Sequence, residues 1–352
     1  MMNWRKNVRR VEPYVPGEQP KEKEVIKLNT NENPYPPSPK VAEALMEFDY
    51  EDLRRYPDPE SAELIEALAE TYHVKKEQVF VGVGSDDVLA MSFLTFFNSK
   101  KPILFPDITY SFYDVWAEEF RIPYETKLLK DDFQIDVEDY LCENGGIVLP
   151  NPNAPTGLLE PLEVYERILR ENPDSVVIID EAYVDFGGVS VLPLLEKYEN
   201  LLVVQTFSKS RCMAGSRIGY AFGNPELIQY LNDVKYSFNS YTMDRITQKI
   251  GVAMLRDQEY FENTVKQIIE TREWTKQELR RLGFTFGDSK ANFIFARHET
   301  FPAEEMFQAL KEAGIYVRYF KKPRIDNYLR ISIGTRNDME ALVSFLEKYV
   351  KE

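Results

Sequence analysis

The sequence predicts an α/β protein, a large domain on a mainly parallel sheet with helices on both faces, followed by a smaller α+β domain. Three observations predict it. From about residue 60 onward, apolar runs of four to six residues bounded by turn signals alternate with stretches of helical periodicity. Those runs are apolar at every position, which suits strands buried on both faces, as in parallel sheets. From about residue 242 the pattern changes to a long amphipathic stretch, then shorter strands and helices.

The elements follow in order. Residues 1–40 hold seven of the 21 prolines, in EPYVPGEQP and LNTNENPYPPSPK. Helices and central strands exclude such a stretch. Tyr14, Leu28 and Tyr35 are interleaved there, so it reads as an arm that packs on something. PESAELIEALAETY is a helix with Asp58 or Ser61 as its cap. QVFVGVG is a strand, SDDVLAMSFLTFF a helix, PILFP a strand and TYSFYDVWAEEF a helix. GGIVLP, SVVIIDEAY and LLVVQTFSK are further buried strands, and RIGYAFG follows. The helical run YFENTVKQIIETREWTKQELRRLG stops at Gly283. ANFIFA, a helix near FPAEEMFQALKEAG, IYVRYF, YLRISIG and the helix NDMEALVSFLEKYVK complete the chain. The expected units are an arm over 1–40, a large domain over 41–250 and a small domain over 251–352.

Composition narrows the function. At 352 residues and 43% hydrophobic the chain can build a sizeable core. Lys and Arg number 43 against 58 Asp and Glu, a net charge of −15. Such a surface repels nucleic acid and anionic membranes, although a pocket can still be locally basic. Two cysteines, Cys142 and Cys212, make no disulfide framework. The opening MMNWRKNVRR lacks the apolar segment of a signal peptide, and no run is long enough to span a membrane. A cytoplasmic protein without a metal is expected.

Four motifs fall at strand ends. GVGSDDV at 82–88 joins a strand to a helix, where free N–H groups bind phosphate, but a tight turn is an equal reading. NPNAPTG at 151–157 lies at the carboxyl edge, where open α/β sheets bind ligands. Asp180 closes the run VVIID, and a buried acid there needs a cationic partner. Tyr183 follows three residues later. Lys209 in TFSKSRCMAGSRIGY follows another buried strand, near Arg211 and Arg217. Partial desolvation beside cations favours an amine able to form an imine. Most lysines are solvated, so Lys209 gains its weight only from the other three motifs.

Taken together these residues resemble the fold type I aminotransferases, which use pyridoxal phosphate (PLP), through N-P-N-x-P-T-G, D-E-A-Y and S-K-x(7)-R. Within them the chain looks most like the histidinol-phosphate aminotransferase branch. The markers are PYVPG at 13–17, LNTNENPYPPSP at 28–39, RYPDPES at 55–61, Val317–Arg318 and LRISIGT at 329–335. The resemblance implies a seven-stranded large-domain sheet. It implies that Lys209 binds the cofactor covalently and then acts as general acid–base, and that Asp180 pairs with the pyridine nitrogen. Tyr183 and Asn153 would hydrogen-bond the ring oxygen, and Tyr110 would stack on the ring. Gly84, Ser85, Asp86, Thr206, Ser208 and Arg217 would surround the phosphate, with the Asp86 carboxylate turned away to cap its helix. Tyr56 would reach the cofactor phosphate of a neighbouring subunit, in a homodimer with shared sites. Tyr14, Asn33, Asn239, Arg318 and Arg330 would contact substrate, the arginines gripping an anion.

Two departures bear on this. Many relatives have a second asparagine where Ala154 stands, and KYSFNSYTMD at 235–244 lacks the prolines expected before Asn239. The implied reaction is histidinol phosphate plus 2-oxoglutarate giving imidazole acetol phosphate plus glutamate. Alternatives are an aromatic amino acid aminotransferase, a PLP decarboxylase of a threonine-phosphate type, and a non-enzymatic PLP-binding regulatory domain. The last is disfavoured by the acidic charge and by only some 40 irregular residues before the large domain.

Overall fold

All-apolar runs must be covered on both faces, and the sheet they form is. The structure, a computed structural model, describes residues 4–14, 17–21 and 24–351. It begins with β1 (Ile26–Lys27), α1 (Pro39–Met46), α2 (Ala62–Tyr72), β2 (Val79–Gly82) and α3 (Ser85–Phe96). Next come β3 (Ile103–Pro106), α4 (Tyr113–Phe120), β4 (Tyr124–Lys127), β5 (Gly146–Pro150) and α5 (Leu162–Glu171). Then follow β6 (Val177–Asp180), β7 (Leu201–Thr206), β8 (Gly219–Gly223), α6 (Pro225–Phe238), α7 (Arg245–Leu255) and α8 (Gln258–Arg281). The chain closes with β9 (Phe284–Phe286), β10 (Phe293–His298), α9 (Ala303–Glu312), β11 (Ile315–Tyr316), β12 (Arg318–Tyr319), β13 (Leu329–Ser332) and α10 (Arg336–Tyr349).

Seven strands form one sheet in the order β2-β8-β7-β6-β5-β3-β4. Only β8 runs against its neighbours. Side chains alternate across a strand. Thus Val79, Val81, Leu149, Ile179 and Val203 join one apolar cluster, while Phe80, Val148, Ile178 and Val204 join the cluster on the opposite face. Because β8 alone is reversed, β2, β3, β5, β6 and β7 all end at one edge, where β8 begins. Register fixes the neighbours there: Gly82 and Thr206 both pair with Gly219, and Pro150 pairs with Asp180. All four motifs therefore meet at that edge.

The smaller sheet is antiparallel, in the order β12-β13-β10-β9. The segment IYVRYF, expected as one strand, divides. Ile315–Tyr316 pairs in parallel with β1 of the arm, whereas Arg318–Tyr319 pairs with β13. The arm thus forms a separate two-stranded sheet with β11, the strand just before β12 of the small sheet. Strand β4 has no apolar signature because it is the exposed edge. Helix α4 starts at Tyr113, leaving Tyr110 in the turn before it. Ser61 occupies the N-cap position of α2, and Asp58 supplies the side-chain acceptor, its Oδ2 taking the Ala62 N–H at 2.8 Å. Ser61 has φ +52° and makes no cap bond. Among the described residues no helix is long and apolar enough to cross a membrane.

Candidate active site

The shared edge opens into a cavity of about 330 Å³ whose walls include Ser85, Tyr110, Asp180, Tyr183, Lys209 and Arg217. One end of it is an anion cradle. Gly84 caps α3 at φ +90°, which brings the free N–H groups of the first helical turn to the cavity. A Cβ at Gly219 would collide with Gly84 and with the Ser85 nitrogen, so only glycine there lets β8 pass beneath the helix start. Arg217 donates to Ser208 Oγ at 3.4 Å, and Thr206 Oγ1 donates to the same hydroxyl at 3.0 Å. Asp86 corrects the expectation. It faces the cavity, paired with Arg217 at 2.9 Å and accepting from the Tyr110 hydroxyl at 2.8 Å. Asp87 is the residue that turns back, accepting from Val83 N–H at 2.8 Å.

The other end is acidic. Asp180 is buried; its Oδ2 accepts from the Tyr113 hydroxyl at 2.8 Å and its Oδ1 from Ala182 N–H at 3.1 Å. Burial pushes this carboxyl up to about 6, against the lowering effect of those two donors. Lys209 stands along the same wall. Its Nζ donates to the Thr30 carbonyl at 3.1 Å and lies 5.6 Å from the Tyr183 ring centroid. Arg211, expected beside it, is turned into the core, its guanidinium 4.2 Å from the Phe261 ring.

An anion cradle, a buried acid and a lysine at one sheet edge are one arrangement known from a large family. The model of that family, aminotransferase class I and II, matches residues 23–346. Over its whole length the chain is similar to proteins named histidinol-phosphate aminotransferase. It is 53% identical to that of Lactococcus lactis subsp. cremoris, covering 99% of this chain and 98% of the relative. It is 50% identical to that of Clostridium botulinum, covering 99% of each. The chain belongs to the histidinol-phosphate aminotransferase family. Solved structures agree on the fold. That of the Clostridium acetobutylicum histidinol-phosphate aminotransferase superposes with a TM-score of 0.85 at 22% identity, covering 93% of this chain and 99% of that one. That of the Sinorhizobium meliloti enzyme, in complex with pyridoxal-5'-phosphate, gives 0.84 at 23%, covering 93% and 91%.

This transaminase family works with pyridoxal phosphate, and the residues of this aminotransferase fit that cofactor. The cradle suits a phosphate. Asp180 has no cation within ion-pair distance among the described residues, as suits an acid awaiting a protonated ring nitrogen. Tyr110 and Lys209 line the space between. Three residues of the site escaped the sequence reading. Tyr113 holds Asp180; it stands three positions after Tyr110 in a run of aromatics that reads equally as core. Glu32 and Asn31 come from the arm, whose irregular sequence carries no periodicity to place them.

Several expected contacts lie elsewhere in the aminotransferase. Asn153 does not line the cavity. Its amide donates to the Ile108 carbonyl at 3.0 Å and its Oδ1 accepts from Thr109 at 3.1 Å, so it braces the loop. Asn33 donates to the Lys209 and Ser210 carbonyls at 2.9 and 3.3 Å, tying the arm to the lysine loop instead of facing a substrate. Asn239 is exposed at the end of α6. Tyr56 is 76% exposed, stacked on Tyr241 at 4.6 Å. Tyr14 stacks on Phe112 at 4.2 Å and shares a neighbouring cavity of about 620 Å³ with Arg318; of PYVPG, Val15 and Pro16 lie outside the described residues. Arg318 and Arg330 are register partners on β12 and β13, each with its guanidinium near the Phe320 ring.

Proposed function

We propose that this aminotransferase interconverts histidinol phosphate and 2-oxoglutarate with imidazole acetol phosphate and glutamate, in histidine biosynthesis, as a cytoplasmic homodimer. The name shared by relatives at 50–53% identity over the full chain carries the choice of substrate. The paired arginines support it. Arg330 donates to the Asn29 carbonyl at 2.9 Å, but among the described residues its buried Nε has no hydrogen-bond partner. Burial, with Arg318 beside it, disfavours its charge. An anionic substrate group would relieve both. The expected units, 1–40, 41–250 and 251–352, place this pair on the small domain and the lysine on the large one.

Bound PLP supplies an electron sink for the charge left when the substrate Cα–H bond breaks. The protein does the rest. The α3 N–H groups, Ser208 and Arg217 hold the phosphate. This requires the Arg217 guanidinium to exchange its Asp86 partner for the stronger anion. Asp180 keeps a proton on the ring nitrogen. Lys209 would hold the cofactor through its Nζ, and the same Nζ, freed when substrate binds, would carry the proton at the substrate Cα. Tyr110 covers one ring face. Tyr14, Arg318 and Arg330 position the substrate.

A half-reaction tests the reading. Holoenzyme mixed with histidinol phosphate is expected to lose its visible cofactor band, and Lys209→Ala to show neither the band nor turnover. Turnover of phenylpyruvate but not of imidazole acetol phosphate passes the assignment to an aromatic aminotransferase. Release of CO2 from threonine phosphate passes it to a decarboxylase.

A further inference from the structure

Asn31 is fixed more tightly than an arm residue needs to be. It is buried, with φ +56°, a conformation asparagine tolerates better than most residues. Its N–H donates to Ser332 Oγ at 2.9 Å, and its carbonyl accepts from Asn292 Nδ2 at 2.9 Å. The Ser332 hydroxyl in turn donates to Asn31 Oδ1 at 2.8 Å. Serine has one hydroxyl proton, and that contact uses it. In this arrangement the Asn31 Oδ1 faces Ser332 and its Nδ2 faces the Tyr183 hydroxyl at 3.0 Å. Nδ2 can only donate, so Tyr183 accepts there with a lone pair. Its own proton has no acceptor among the hydrogen bonds of the described residues, and Tyr183 lines the cavity. The family's second asparagine is Ala154 here and offers no amide.

We propose that Asn31 is a positioning residue that polarises Tyr183. Its side-chain Nδ2–H, donating to the hydroxyl, makes Tyr183 a stronger donor to the cofactor's ring oxygen, in place of an amide at position 154. Hydrogen bonds in a chain strengthen one another where water is excluded. A better donor stabilises the negative ring oxygen, so the lysine-bound cofactor loses its proton at lower pH than it otherwise would. Ser332 sits on β13 two residues beyond Arg330, so the strand that grips the substrate anion also sets this contact.

This inference rests on the cofactor reading above, and its test keeps the two apart. The readout is the pH midpoint of the visible absorbance of holoenzyme without substrate. Asn31→Gly is the variant of choice: glycine accepts φ +56° freely and retains both backbone hydrogen bonds, losing only the amide. Its midpoint is expected to move upward, corresponding to roughly a three- to tenfold gain in proton affinity, on the order of the one-unit shifts a neighbouring donor produces. In a Tyr183→Phe background the same change is expected to add nothing, because the path through the hydroxyl is gone. An unchanged midpoint, or an equal shift without the hydroxyl, overturns the inference. If Asn31→Gly does not fold, Asn31→Asp serves. Its carboxylate takes the Tyr183 proton for itself, so a larger upward shift supports the inference and none overturns it. A wild-type protein with no visible band overturns the cofactor reading, and this inference with it.

Discussion

Asp180 and Glu181 are adjacent, both buried, and do different work. Glu181 is saturated: Asn151, Ser190, Gln205 and the Val191 N–H all donate to it. Asp180 has two protein donors and otherwise faces the cavity. Burial raises both, Asp180 to about 6 and Glu181 to about 7, despite these hydrogen bonds. A raised carboxyl binds its proton more tightly folded than unfolded. The stability it contributes is therefore full below its unfolded value near 4 and is lost as pH rises through the folded value. Asp288, lowered to about 2 chiefly by its hydrogen bond from Lys276, acts in the opposite direction and in a more acidic window. The melting temperature of the cofactor-free protein is expected to carry a downward contribution between about pH 4 and about pH 7 from Asp180 and Glu181. Asp180→Asn should flatten that slope while lowering transamination at least about a hundredfold, since the ring nitrogen loses its anion. Thermal melts across pH and steady-state rates check the two halves. An Asp180→Asn protein with the wild-type melting slope contradicts the first half. On the proposed function, Asp180 is an acid kept in an unfavourable place because the cofactor would need it there.

Between elements, the exposed position of Asn239 and the pairing of Arg318 with Arg330 depend on how strands and helices lie. The two arginines are twelve residues apart in sequence and become neighbours only through the β12–β13 register. Arg330→Ala should raise KM for the phosphorylated amine at least about tenfold with a smaller change in kcat, and Arg330→Lys should not restore it, because an ammonium lacks the planar pair of donors. Equal KM values for the variant and the parent would remove Arg330 from the substrate site. What was legible at this scale follows from period and punctuation. β5, β6 and β7 were plain because each carries an unbroken run of buried apolar residues, and α8 because Gly283 at φ +89° ends it. The motif order placed Lys209, Asp180 and Arg217 at one edge. β4 was not legible, since an exposed edge strand, YETK, needs no apolar residues. The division of IYVRYF was not legible either, because its second partner is a two-residue strand of the arm. Asn153 misled because a motif gives a position in the chain and not a rotamer. Its neighbour Ala154 lines the cavity in its place.

At the scale of the whole molecule the chain leaves one apolar region uncovered. Met46 on α1, Tyr50 and Leu53 in the turn that follows, Tyr56, Phe238 at the end of α6 and Tyr241 beyond it are all exposed in a chain of net charge −15. They are connected: Tyr56 stacks on Tyr241, Arg245 at the start of α7 holds the Tyr56 carbonyl at 2.6 Å, and α1 packs on α7. Scattered apolar residues are ordinary on a surface, but a connected group of aromatics marks a contact surface. A second copy, related by a two-fold axis, would cover it and bring the Tyr56 hydroxyl to the other protomer's phosphate cradle. Subunit mixing tests this. In such a dimer Tyr56→Ala would damage the site across the interface, whereas Lys209→Ala would damage the site of its own chain. In a hybrid dimer, the Tyr56→Ala protomer keeps its lysine and receives an intact Tyr56 from its partner, so one site is whole. An equal mixture after subunit exchange should reach about a quarter of wild-type activity, since half the dimers are hybrid and each has one of two sites intact. Either variant alone should stay far below that. A mixture no more active than the sum of its parts, with hybrid dimers present by mass, would place Tyr56 outside the partner's site.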